Sequence, residues 1–169
     1  MKMALRHLVS ILILPFTATV LVPAWIAGRP APAPNPGPSA GYVALEGLGL
    51  TLVVLGLLLA AASVWKFAAE GEGTLAPWDP PRRFVVRGPY RFVRNPMISG
   101  VILVLYGESC ALRSPPLLAW ALAFLALNFL YIPLVEEPQL ARRFGGPYRE
   151  YCRHVRRFIP RLRPWNPSA

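Results

Sequence analysis

The stretch RGPYRFVRNPMISG, residues 87–100, marks the change from a polar basic loop to a long apolar segment. Asn95 followed by Pro96 predicts the start of a helix, because an Asn side chain can accept an unpaired backbone N–H and Pro is tolerated at the first helical position. The loop before it carries three arginines, Arg87, Arg91 and Arg94. With the positive end of the helix dipole beside them, these arginines predict an anion-binding site. The alternative is that they mark the cytoplasmic side and contact lipid phosphates.

Composition indicates a membrane protein. Hydrophobic residues make up 54% of the 169 residues and charged residues only 15%, which is apolar for a soluble domain of this size. The 18 Lys and Arg residues greatly exceed the 8 Asp and Glu, and they lie in segments between long apolar runs. This pattern favours an anionic membrane face over nucleic acid, which is usually bound by interleaved aromatic and basic residues. No obligate protein partner is inferred.

Two cysteines are too few for a disulfide framework. Cys110 and Cys152 also lack Cys or His neighbours at the spacing of zinc ligands. We therefore interpret both as packing residues and expect no metal site.

Four apolar segments predict an all-α integral membrane bundle with about four transmembrane helices, at residues 8–26, 42–67, 96–112 and 117–134. The first could instead be the core of a signal peptide, but its length favours retention in the membrane. Small residues along one face of the second segment predict close approach of another helix backbone: Gly49, Val53, Gly56 and Ala60. Gly100 and Gly107 lie two turns apart on one face of the third. Glu108 is an acid inside an apolar helix, hence either functional or at the outer interface.

The chain is expected to form one membrane domain, residues 1–169, with both termini cytoplasmic. All Lys and Arg residues except Arg29 and Arg113 then lie inside, as the positive-inside rule requires. Residues 1–69 would form two spanning helices joined by a Pro-rich outer loop at 28–41. Residues 70–169 would form the catalytic half, in which a cytoplasmic loop, two helices and a C-terminal lid meet on one side.

A second polar group follows the fourth segment. Pro133 is predicted to break that helix just before Glu136 and Glu137. The two acids would then lie where the chain leaves the bilayer, on the same side as the arginine loop and within reach of it. They form either a salt-bridged junction or a ligand site. Residues 145–147, Gly-Gly-Pro, would end one short helix and start an interfacial amphipathic helix. Its arginines, Arg149, Arg153, Arg156 and Arg157, are expected to face outward.

Two separated motifs carry a family resemblance. Residues 88–97, GPYRFVRNPM, are followed some forty residues later by a second set: Glu136, Glu137, Leu140, Phe144, Gly145, Tyr148, Tyr151, Val155 and Pro160. Together they resemble the C-terminal signature of the isoprenylcysteine carboxyl methyltransferase and phospholipid N-methyltransferase superfamily. The resemblance covers about residues 71–165.

The resemblance implies S-adenosylmethionine-dependent methyl transfer to a lipophilic or membrane-embedded acceptor at the cytoplasmic face of a bacterial-type inner membrane, with S-adenosylhomocysteine as product. By position, it assigns cofactor binding to Tyr90, Arg94, Asn95, Pro96, Gly100, Glu136, Glu137, Leu140, Tyr148 and Tyr151. Arg94 and Glu136 are the predicted catalytic residues. The cofactor's carboxylate suits Arg94 and the helix start, and its cationic groups suit the two acids.

Two departures from the family pattern leave alternatives open. The family usually has His where Asn95 stands and often Tyr where Ile98 stands, which suggests a subgroup with its own acceptor. An NADPH-dependent membrane reductase of the sterol reductase type is a second hypothesis, because those enzymes resemble the C-terminal half and the arginines suit a phosphate. A non-catalytic lipid-binding membrane protein is a third.

Overall fold

The fold comes from a computed structural model that describes residues 12–29, 40–70 and 84–166. The helices in chain order are a π-helix at Leu12–Leu21, α1 Val22–Ala27, α2 Ala40–Glu70, a 3-10 helix at Gly88–Arg91, α3 Pro96–Ala111, α4 Pro115–Tyr131, a second π-helix at Ile132–Glu136, and α5 Glu137–His154. No strand occurs in the described ranges, and the predicted all-α class is confirmed for them. Most of the Pro-rich connector and the N-terminal end of the first apolar segment lie outside the described residues.

Two helices are long and apolar enough to cross a bilayer, Ala40–Lys66 and Pro115–His154. The apolar helices Pro15–Ala27 and Pro96–Ala111 are shorter. Large apolar side chains on the two long helices are exposed, with Leu58 at 63%, and such a surface is typical of lipid contact. These features support membrane association. Four spans and the orientation of the termini stay predictions.

Helices α2 and α3 touch backbone to backbone through glycines. A Cβ built on Gly56 would lie 2.6 Å from the carbonyl oxygen of Gly100, and one on Gly107 would lie 2.6 Å from that of Gly49. Both distances are too short for a real side chain. The predicted close approach of a helix to the small residues of α2 is therefore confirmed, and the structure identifies that helix as α3. The contact fixes the position of α3 at the point where the arginine loop enters it.

Pro133 does not break the fourth helix, contrary to the sequence prediction. The chain continues from α4 into α5 through the π-helix Ile132–Glu136. Proline removes one N–H and crowds the preceding turn, and the wider π winding accommodates this locally instead of ending the helix. The two acids thus lie on one continuous helical path and not on a loop after it.

The predicted break at residues 145–147 is confirmed. Gly145 has φ 60° and ψ −129°, inside what is otherwise the continuous helix α5, and a positive φ of this kind favours glycine. Beyond the kink, Tyr148 and Tyr151 are buried while Arg149 and Arg153 are exposed. This last segment is therefore amphipathic, as expected.

The chain after α5 turns back over the arginine loop. Backbone N–H groups of Arg94 and Asn95 donate to the carbonyl oxygens of Arg156 and Arg157 at 2.8 and 3.2 Å, and the N–H of Arg161 donates to Phe92 at 2.9 Å. The loop before α3 and the C-terminal region therefore meet, as predicted, within the described residues.

Candidate active site

The start of α3 positions the arginine loop. Asn95 occupies the N-cap and Pro96 the first turn, as predicted, and the Asn95 carbonyl oxygen accepts the Ser99 N–H at 2.9 Å. The Asn95 side chain makes no capping hydrogen bond, which corrects the expected use of that side chain. Before the helix, Gly88 has φ 56°, a conformation that favours glycine and that starts the turn carrying Tyr90.

An ion cluster joins the two predicted motifs. Arg94 Nη1 donates to Glu137 Oε1 at 2.7 Å, and to Cys152 Sγ at 3.0 Å. Arg157 binds the same carboxylate with two hydrogen bonds, Nε to Oε1 at 2.6 Å and Nη2 to Oε2 at 2.7 Å. Arg94 and Glu137 are largely buried, with side chains 12% and 15% exposed. One acid thus holds two arginines from different parts of the chain.

Arg157 does not face outward, contrary to the sequence prediction. Helix α5 ends at His154, and Val155 adopts an extended conformation with φ −115° and ψ 129°. The helical spacing on which the expectation rested therefore stops before Arg157, whose side chain turns back to Glu137. The Glu137 carboxylate raises the pKa of Arg157, so this arginine stays charged.

Glu136 is the second acid, and it is placed differently from Glu137. It is the last residue of the second π-helix and directly follows the apolar run that ends at Val135, and it is partly buried. No ion pair to Glu136 exists in the part of the chain that the structure describes. Of the two acids, Glu136 is therefore the one available to a cationic ligand.

Aromatic side chains close one side of this region. The Tyr151 hydroxyl donates to the carbonyl oxygen of Tyr90 at 2.7 Å. The rings of Tyr148 and Tyr151 pack edge-on against Phe84 at centroid distances of 5.7 and 5.3 Å. Burial and the nearby Glu136 raise the pKa of Tyr90, so its hydroxyl stays protonated at neutral pH. Leu140 packs against the same cluster.

Two buried polar atoms near the start of α3 have no hydrogen-bond partner among the described residues. They are Arg94 Nε and Ser99 Oγ. Buried polar atoms normally have a hydrogen-bond partner. Two such atoms without one, both close to a helix N-terminus, are typical of a site that receives a ligand. Ser99 is not among the residues predicted from the sequence; its position one turn after Pro96, beside the predicted anion site, is the signal that could have found it.

The remaining predicted residues lie in structural contacts. Pro96 is fully buried, and a Cβ on Gly100 would meet the Gly56 carbonyl oxygen at 2.7 Å and the Ala60 nitrogen at 2.9 Å. Gly100 thus contacts α2, and its role toward a cofactor stays a prediction. Glu108 Oε2 is also buried without a partner among the described residues, but Glu108 lies near the opposite end of α3. In the described ranges, no three His, Cys, Asp or Glu residues converge as a metal site would require.

The family model described as phospholipid methyltransferase matches residues 45–146. This range contains α3 and α4, and it contains Arg94 and Glu137 of the ion cluster but not Arg157. This range is more than half of the chain. The protein belongs to the phospholipid methyltransferase family. No match was found among curated proteins or among solved structures. Membership of the phospholipid methyltransferase family indicates methyl transfer to a lipid acceptor and agrees with the apolar helices.

Proposed function

We propose that this protein transfers a methyl group from S-adenosylmethionine to a membrane lipid at the cytoplasmic face. The observation that carries the proposal is the contact between Arg94 and Glu137 at 2.7 Å, because it joins the arginine turn and the acidic pair beside the start of α3. The family assignment supports the reaction type. The cofactor and the side of the membrane are inferred from the residues at this junction and from the excess of basic residues around it.

The residues at the junction fit a zwitterionic amino-acid group. Arg94 Nε and Ser99 Oγ are buried donors without described partners, and the first backbone N–H groups of α3 add further donors for a carboxylate. Glu136 provides the acceptor for an ammonium group. Glu137, neutralised by two arginines, is assigned to hold Arg94 in position. Asn95, Pro96, Gly100, Leu140, Tyr148 and Tyr151 are proposed to line the cofactor pocket.

The chain's own contribution to the reaction is binding, orientation and exclusion of water. S-adenosylmethionine, when bound, supplies a methyl group on a positively charged sulfur. Methyl transfer then requires mainly that donor and acceptor be held in line. Arg94 and Glu136 fix the two charged ends of the cofactor's amino-acid group, and the aromatic cluster with Tyr151 shields this side of the site from water. The lipid-exposed helices provide a route by which an acceptor can arrive from the bilayer.

The cofactor choice is tested by isothermal titration of the detergent-purified protein with S-adenosylhomocysteine and, separately, with NADPH. We expect S-adenosylhomocysteine to bind and NADPH not to bind. Arg94→Ala should abolish detectable binding of S-adenosylhomocysteine, because the Arg94 guanidinium provides the charged donor for the carboxylate. Binding of NADPH alone would instead support the membrane reductase, and binding of neither, by a folded protein, would support the non-catalytic alternative.

Glu136→Gln should weaken the binding of S-adenosylhomocysteine about tenfold, because the amide keeps the shape of the side chain but loses the negative charge that pairs with an ammonium group. Isothermal titration of the detergent-purified variant measures the change. Unchanged affinity in a folded variant would show that another group accepts the ammonium.

A further inference from the structure

The C-terminal tail, defined as residues 153–166 from the last residues of α5 onward, forms a basic cleft that the proposed reaction does not use. Its volume is about 620 Å³, and arginines dominate its lining: Arg153, Arg156, Arg161 and Arg163. Arg157 is not among the lining residues of the cleft; its side chain bonds Glu137 instead. Neighbouring arginines in the same tail are thus divided between an internal ion pair and an outer cleft.

The side chains of three cleft arginines have no partner among the described residues. The side chains of Arg153, Arg156 and Arg163 make no hydrogen bond or ion pair to a described residue, and these three residues are exposed, whereas the Arg161 side chain donates to the carbonyl oxygen of His154 at 2.8 Å. Residues 151–169 contain no Asp or Glu. A group of like charges without acidic neighbours attracts an anionic partner.

Exposed apolar residues are interleaved with these arginines. Leu162, between Arg161 and Arg163, is 100% exposed, and Ile159 is 61% exposed. A free phosphate or a nucleic-acid backbone would offer nothing for these side chains to contact. A bilayer surface offers both components, because headgroup phosphates lie directly above hydrocarbon.

We propose that this cleft docks on the headgroups of anionic phospholipids, with Leu162 and Ile159 entering the interface. Backbone hydrogen bonds tie the tail to the arginine loop, including Arg161 to Phe92 at 2.9 Å and Trp165 to Arg91 at 3.0 Å. A lipid bound at the cleft therefore holds the tail against the loop that forms the candidate active site. The docking surface is independent of methyl transfer, and it stands even where the cofactor assignment fails.

The test titrates the full-length protein, purified in a neutral detergent, with dioctanoylphosphatidylglycerol and with dioctanoylphosphatidylcholine. The anionic lipid should bind at least tenfold more tightly, and its affinity should fall as salt is raised. The triple variant R153Q/R156Q/R163Q should lose at least tenfold in affinity for it. The matched variant R142Q/R143Q/R149Q removes the same charge from exposed positions on α5 outside the cleft, and it should change affinity by less than twofold.

Leu162→Gln separates a lipid surface from a phosphate site. The substitution should weaken binding of dioctanoylphosphatidylglycerol while leaving the weak binding of inorganic phosphate unchanged. Equal loss in the two triple variants, equal affinity for the two lipids, or displacement of the lipid by equimolar inorganic phosphate would each overturn the proposal. The binding of S-adenosylhomocysteine, measured in the same samples, reports separately on the proposed function.

Discussion

Glu137→Ala is expected to lower the free energy of unfolding by about 3 kcal/mol, the scale on which removal of one partner leaves a buried charge unpaired. The reason is that Glu137 alone bonds both Arg94, at 2.7 Å, and Arg157, at 2.6 and 2.7 Å. Arg94 is only 12% exposed, so water cannot replace the lost carboxylate. Chemical or thermal unfolding in detergent gives the comparison with the wild type.

The same substitution should weaken S-adenosylhomocysteine binding about tenfold or more, because Arg94 loses the group that positions it. The effect acts through Arg94, so Glu137→Gln, which keeps the shape and one acceptor, should fall between alanine and the wild type. Glu150→Ala is the matched control: it removes an exposed acid from the same helix, and a change within about 0.5 kcal/mol is expected. If Glu137→Ala were as stable as Glu150→Ala, the cluster would be a surface ion pair of little energetic weight.

The approach of Arg94 to Glu137 was accessible from the sequence, because two independent lines led to it. The distribution of basic residues placed both polar segments on one side of the membrane, and the resemblance placed both motifs in one site. The hydrogen bonds from Arg157 to Glu137 could not be predicted from the sequence. It depends on where α5 ends, and a basic run such as residues 153–157 continues the helical pattern in sequence although the backbone leaves the helix after His154.

Local sequence signals predicted where helices begin better than they predicted which hydrogen bonds the side chains make. Asn95 and Pro96 begin α3 as expected, yet the Asn95 side chain makes no cap, since which partner a polar side chain takes is decided by tertiary contacts. Pro133 was predicted to end a helix, and the chain passes through it by a π turn. Ser99 was missed because a single serine in an apolar segment carries no pattern; its unpaired hydroxyl is visible only in three dimensions.

Gly100 shows why one residue can satisfy two sequence interpretations. Its position after the arginine motif gave it a cofactor role by resemblance, and its spacing from Gly107 gave it a packing role. The structure provides contacts for the second, with α2 at the Gly56 carbonyl oxygen. The first remains open to experiment, and binding data on Gly100 variants must be read together with their stability.

Gly56→Leu is expected to lower the free energy of unfolding by about 3 kcal/mol or more. A Cβ at this position would lie 2.6 Å from the Gly100 carbonyl oxygen and 2.9 Å from the Val104 nitrogen. Both are backbone atoms, so no rotamer change relieves the contact and the two helices must separate. Separation would also displace the start of α3, and the affinity for S-adenosylhomocysteine should fall with stability.

Gly47→Leu on the same helix is the control for the chemical change itself. A Cβ there meets nothing within 4 Å, and leucine is a better helix former than glycine by up to about 1 kcal/mol. This variant should therefore be as stable as the wild type or slightly more stable, and it should bind S-adenosylhomocysteine normally. Because the two substitutions add the same atoms to the same helix, a difference between their unfolding midpoints measures the α2–α3 contact and not helix propensity or hydrophobicity. Equal midpoints would mean that α2 and α3 do not pack through Gly56, and the position assigned to the arginine loop would lose its structural basis.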